Sequence, residues 1–203
     1  MILNDKIDFF GKFSFKAFHA DGSVEEYEEK NLIMDKARNN MAQLIGGITS
    51  ASTNQGRPID TFVLGTQGHV TNILTPKQVG SDGFDSTLSK LFSETANSTF
   101  YKLSFDPYGA DDITIPVSGI LTEAGTTGSI QTGNTVRRVV SERTVTYTIT
   151  IESQNANSSS IGVPLAFTEA ALYCGDDIFS MKTFPARVKE NTVKFEIVWS
   201  IIF

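Results

Sequence analysis

Two histidines, one cysteine and two small acidic clusters are the residues of this 203-residue chain that come nearest to chemistry. His19 falls at the tip of an expected hairpin and His69 in a loop flanked by glycine. An imidazole titrates close to neutral pH and suits general acid–base work, but its nucleophile and orienting carboxylate meet it only in space. Local catalytic motifs are missing: there is no Gly-x-Ser-x-Gly elbow, no His-Glu-x-x-His and no Gly-Lys-Ser/Thr phosphate loop. Gly65-Thr-Gln-Gly68 lacks the third glycine and following helix of a dinucleotide site, and reads as a turn. Cys174 stands alone, so neither an intrachain disulfide nor a thiolate metal cluster can form, and a small buried hydrophobe is expected. Asp106, Asp111 and Asp112, and separately Asp82 and Asp85, offer carboxylate oxygens to a hard cation. Neither set has the Asp-x-Asp-x-Asp-Gly spacing of a calcium loop, and both read as solvated turn carboxylates. No catalytic residue, cofactor or metal is assigned, and a non-enzymatic protein is expected.

Charge narrows the partners. A formal charge of -6 argues against the phosphate backbone of nucleic acid, which demands an excess of Lys and Arg. The first eight residues carry Asp5, Lys6 and Asp8 and lack the apolar core of a signal peptide, so the chain is expected to be made in a cytoplasm and to stay soluble. No stretch approaches the roughly 18 apolar residues that span a bilayer, and no membrane partner is expected. The sequons at Asn97 and Asn157 carry no weight without secretion.

Periodicity sets the elements. Phe9, Phe13, Phe15 and Ala17 alternate with Lys12, Ser14 and Lys16, Asp21-Gly22 turns the chain, and Val24 to Lys30 returns as a glutamate-rich strand near an edge. Asn31 is expected to cap an amphipathic helix whose stripe is Ile33, Met34, Ala37, Met41, Leu44 and Ile45, ended by Gly46-Gly47. Residues 48–58 read as a surface loop, Ile59–Leu64 as a short strand, the stretch to Gly83 as less ordered, and Thr87–Ser93 as a short helix. From Thr99 the pattern is β. Ile113–Leu121 contains Pro116 and Gly119 and is expected at an edge or broken in two. Glu123–Asn134 reads as a Gly/Thr/Ser loop, and Val136–Glu152 as one long strand with a bend, or as a two-stranded arm leaving the body. Gln154–Ser160 is a polar, flexible loop, and Leu165–Tyr173 with Ile178–Phe184 makes a second hairpin about Gly175-Asp176-Asp177. These elements predict a single mainly β domain over 1–203, an antiparallel β-sandwich or barrel-like fold with one N-terminal amphipathic helix packed on it. A hairpin–helix–strand subregion covers 1–66 and a β-rich one 99–203.

The chain's last residues repeat the period of two: Val193, Phe195, Ile197, Trp199, Ile201 and Phe203 share one face. Such a tail free in water is an aggregation hazard, so it must be buried in its own sheet or against another subunit. Trp199, Ile201 and Phe203 are therefore interface candidates. Arg137, Arg138 and Arg143 join them, because arginine pairs bidentately with carboxylates across protein interfaces. The same arginines serve as well on a solvated strand face.

Two blocks resemble proteins of tailed bacteriophage particles. One is the hairpin, Lys30-Asn31-Leu32-Ile33, the helix, and the strand ending Val63-Leu64-Gly65-Thr66. The other is Phe167-Thr-Glu-Ala-Ala-Leu-Tyr173, then Ile178 to Pro185, closing on Val193 to Phe203. The resemblance covers both ends of the chain and leaves residues 67–160 without a counterpart. It implies a virion structural subunit of a tail, baseplate or neck-collar, or of a fibre attachment, built into a symmetric ring and partnered by copies of itself and neighbouring virion proteins. A carbohydrate- or receptor-binding β-sandwich competes with it, with Tyr101, Tyr108 and Asp111-Asp112 as its conceivable contacts.

Overall fold

In a computed structural model that describes residues 10–48, 56–71, 75–160 and 162–203, ten strands close into one antiparallel barrel. In chain order the elements are β1 (Phe10–Phe18), β2 (Val24–Ile33), α1 (Asp35–Ile45), β3 (Thr61–Gly65), α2 (Phe92–Thr95), β4 (Phe100–Ser104), β5 (Asp112–Glu123), β6 (Thr126–Ser141), β7 (Thr144–Ile151), β8 (Leu165–Cys174), β9 (Asp177–Lys189) and β10 (Lys194–Ile202). Around the wall they run β1-β10-β7-β6-β5-β4-β3-β8-β9-β2. Of the two expected architectures it is the barrel that forms. Phe9 and the charged N-terminal octet lie outside the described residues, as do 49–55 of the expected loop. No helix among the described residues is long and apolar enough to cross a membrane.

The terminal strand is a central stave. β10 is laddered to β1 on one side and β7 on the other, with Trp199 opposite Phe13 and Tyr147. Phe195, Ile197, Trp199 and Ile201 point into the barrel and are at most 1% exposed. Aromatic rings interlock there. Trp199 meets Phe13 edge-on at 4.9 Å, Phe15 meets Phe195 at 4.7 Å, and Phe184 stacks on Phe13 at 5.3 Å. Such offset and edge contacts add to the area that the rings remove from water.

A second, smaller core lies outside the wall. Val63 of β3, Ala171 and Tyr173 of β8, and Ile178 and Met181 of β9 are covered by Met34, Phe84 and Leu91. β3 and β8 are thus buried on both faces, which is why Phe62-Val63-Leu64 and Ala170-Ala171-Leu172-Tyr173 are unbroken apolar runs. The covering segment, expected to be less ordered up to Gly83, makes bridges at Val79↔Phe84 and Ser81↔Phe84. Its helix is one turn, α2, beginning five residues later than expected, with Leu91 at the N-cap.

Other elements depart from the expected ones. Asn31 belongs to β2, and α1 starts at Asp35 behind Met34, without a side-chain cap. Of its stripe Ala37 is buried and Met41 half-buried, while Leu44 is 37% and Ile45 89% exposed. β5 is continuous through Pro116. Its ladder to β4 stops at Ser104↔Ser118, so at the proline the strand has a neighbour on the β6 side only. The expected Gly/Thr/Ser loop is the first half of β6, joined to β5 by Ala124-Gly125. The long strand expected over Val136–Glu152 is two strands, β6 and β7, turned at Glu142-Arg143, and both belong to the wall rather than to a departing arm.

Candidate functional site

Among the described residues three charged side chains are buried, Glu169, Lys189 and Arg138. On the outside of β8, Glu169 is fully buried and points at the start of α2. Its carboxylate accepts from the Phe92 amide at 3.0 Å, the Ser93 amide at 2.7 Å and the Ser93 hydroxyl at 2.5 Å. The Ser93 hydroxyl in turn accepts from the Thr66 and Gln67 amides, at 2.7 and 3.0 Å. Four residues along β8, the Tyr173 hydroxyl donates to Glu94 and accepts from the Leu91 amide at 3.0 Å. Gly65 leaves room for the knot, since a Cβ there would stand 2.5 Å from both a Glu169 oxygen and the Ser93 hydroxyl. Burial pushes the Glu169 carboxyl up, against the pull of these donors, and burial with the neighbouring Glu94 raises the Tyr173 phenol. The knot ties the outer layer to the barrel wall. Its sequence signal is a single glutamate inside the run Phe167–Cys174.

At the barrel mouth, Lys189 ends β9 with no exposed surface. Its ammonium donates to the Ser153 carbonyl at 2.7 Å, the Glu190 carbonyl at 3.1 Å and Asn157 Oδ1 at 3.3 Å, and lies 5.7 Å from the Phe195 ring. Burial pushes its pKa down to about 7, with Glu152 opposing. The 154–160 segment is therefore a held plug. Asn155 donates to the Thr132 carbonyl at 2.7 Å and to Asn134 Oδ1 at 2.9 Å, and Ser158 and Ser159 bind Glu123 at 2.8 and 2.9 Å.

The six interface candidates separate. Arg137 faces outward and grips Asp112 bidentately, at 2.9 and 2.8 Å. That ion pair holds the Asp112 carboxyl below its ordinary range, and Asp112 is not the free turn carboxylate expected. Arg138, one residue on, faces inward, is 9% exposed, and donates to the carbonyls of Pro107 and Ala110. It anchors the loop before β5. Trp199 and Ile201 lie wholly inside the barrel and present no surface to a neighbour. Arg143 and Phe203 come together at one end, where the Phe203 amide donates to the Arg143 carbonyl at 2.9 Å. Phe203 is 46% exposed and lines an apolar groove of about 150 Å³ with Met41, Leu44, Pro58 and Val145.

The residues first suspected of chemistry do not converge. His19 sits 3.4 Å from Glu25, and His69 lies by the Phe184 backbone, where burial lowers its pKa. Cys174 is buried, and burial pushes its thiol up, away from the reactive thiolate. Among the described residues no three His, Cys, Asp or Glu side chains are grouped as a metal requires. Tyr101 is buried in the core with its hydroxyl accepting from Asn134 at 3.0 Å, so it is closed to a sugar. Tyr108 is 72% exposed, on the rim of a groove of about 410 Å³ that also holds Arg57, Asp60, Lys102 and Asp176. No known protein family, curated protein or solved structure matches the chain.

Proposed function

We propose that the chain is a non-enzymatic structural subunit of a tailed-phage particle, assembling with copies of itself and neighbouring virion proteins into a ring or collar of the tail, baseplate or neck. The observation that carries this reading is the use made of the buried charges. Glu169, Lys189 and Arg138 are each bonded to main chain of another segment, which suits a scaffold that must keep its shape under load. The block that resembles virion proteins, Val193 to Phe203, is also the stave on which the barrel is built. In this reading α1 packs on the barrel through Ala37 and Met41 and keeps its last turn outward. Neither membrane nor nucleic acid is a partner. Lys12–Glu28 and Lys16–Glu26 pairs, at 2.9 and 2.7 Å, stand on the outer wall while aromatic rings fill the inside, the reverse of a lipid-facing barrel.

Light scattering on the purified chain, with negative-stain images of the same peak, tests this. Rings or multimers of fixed number are expected. A second reading, a glycan- or receptor-binding module, is favoured by Tyr108 at its mixed-charge groove, since an exposed ring beside carboxylates and cations is what a sugar face needs. A monomer at every concentration that binds a glycan array, and loses that binding in Tyr108→Ala, would replace the first reading with the second.

A further inference from the structure

Several stretches of the described wall lack a laddered neighbour on one side, and two of them are protected differently. On β2, pairing to β9 is confined to Leu32↔Met181 and Ile33↔Ser180, leaving Val24–Asn31 with β1 alone. That edge carries Glu25, Glu26, Glu28, Glu29 and Lys30. Charge of this kind keeps a foreign strand from adding. On β6, the ladder to β7 begins only at Thr135↔Thr150 and the 152–156 segment binds Gln131, Thr132 and Asn134, so Thr126–Ile130 has β5 on one side and no strand on the other among the described residues. This edge has no protection of that kind. From Ala124 to Thr135 there is neither a charged residue nor a proline. Thr126 to Ile130 are all exposed, with Ile130 67% exposed.

We propose that the β6 edge from Thr126 to Ile130 is a strand-addition surface, and that its occupant is the same edge of a second copy, paired antiparallel about a two-fold axis. Main-chain pairing supplies the attraction and does not depend on side-chain identity. What selects the second copy is charge. Two identical edges without charge meet with no like-charge repulsion, whereas β2 of a neighbour would bring four glutamates to a strand that has no cation to receive them. Threonine and isoleucine, β-branched and suited to a pleated surface, then face one another across the junction. Five residues reach roughly 17 Å, the length of an ordinary strand. A two-fold contact uses one patch twice and so needs no complementary surface elsewhere. The nearest carboxylate, Glu123, is occupied by Ser158 and Ser159 within its own chain. The inference stands apart from the particle reading, since it concerns how two copies meet and not what they build.

Two sets of full-length variants test it. Ser129→Cys and Ile130→Cys each place a thiol on this edge, while the native Cys174 is buried. Mild oxidation is expected to give a disulfide-linked dimer from at least one of them, and none from a control thiol at Thr148 on the outer face of β7. Thr127→Lys with Ile130→Lys puts like charges across the junction and is expected to weaken self-association by about tenfold or more in sedimentation velocity, with the far-UV circular dichroism of the fold unchanged. A wild-type chain that stays monomeric overturns the inference. So does a wild-type oligomer that the lysine variant leaves intact, and in that case the ring reading survives without it.

Discussion

Lys189 is the residue whose environment is most at odds with its chemistry. Free lysine holds its proton to about 10.4, and burial brings this one to about 7. Across that interval the unfolded chain binds more protons than the folded one, so this group makes stability rise with pH and withdraws it as pH falls through about 7. Urea denaturation of the wild type and Lys189→Met over roughly pH 6 to 9 measures the effect. The difference between them is expected to move in favour of the wild type as pH rises. A difference that does not change with pH would mean that the three oxygens around the ammonium keep it charged throughout. Lys189 was hidden in the sequence because nothing near Val188-Lys-Glu190 marks that lysine as different from an exposed one. Two of its three acceptors come from Ser153 and Asn157, more than thirty residues away. Arg138 was misplaced for a simpler reason. Adjacent residues on a strand point to opposite faces, so an Arg-Arg pair cannot be two outward charges.

At the scale of elements, the β5–β6 hairpin explains both what was legible and what was not. Its turn places Ala124 at φ +46° and Gly125 at φ +80°, left-handed at both positions as two-residue hairpins require. Glycine suits this; alanine does not, and a left-handed alanine costs roughly 1–2 kcal/mol. Ala124→Gly is expected to stabilise the protein by about 0.5–1 kcal/mol, less than the strain relieved because the unfolded chain gains freedom. A rise in the thermal midpoint would show it, and a fall would mean that the turn is held by contacts of the Ala124 methyl. The first half of β6 read as loop because neither face of it is deeply buried, and a period of two arises only where one face is buried and the other is wet. The β6–β7 turn did leave a trace. Val136, Arg138 and Val140 share a face at even positions, and Val145, Tyr147 and Ile149 at odd ones. The change of phase marks the turn at Glu142-Arg143.

The whole molecule closes at its weakest seam, between β2 and β9. Beyond two ladder pairs the gap is bridged by side chains: Lys182 to Glu29, Arg187 to Glu25 at 3.5 Å, and the Tyr27 ring with Lys182 and Arg187 at 5.8 and 5.7 Å. Exposed ion pairs contribute little each and are screened by salt. Amide exchange is therefore expected to be faster along Val24–Asn31 than along β10, which is laddered on both sides. Salt should widen the difference. Equal protection of the two strands would show that the barrel opens only by global unfolding.

By itself the sequence determined that the protein is mainly β and antiparallel, that the first hairpin and the Leu165–Phe184 hairpin exist, and that the last strand is buried on its Trp199 face. Each of these rests on neighbours close along the chain, where alternation and turn residues act directly. Only the tertiary structure decided that the wall closes into a barrel, that β3 and β8 are covered on both faces, and that Glu169 and Lys189 are interior. Closure depends on which distant strands meet, such as β10 with β7 and β3 with β8, and period-two alternation is the same for a sandwich as for a barrel. The burial of a charge depends on acceptors brought from other segments, which no local spacing records.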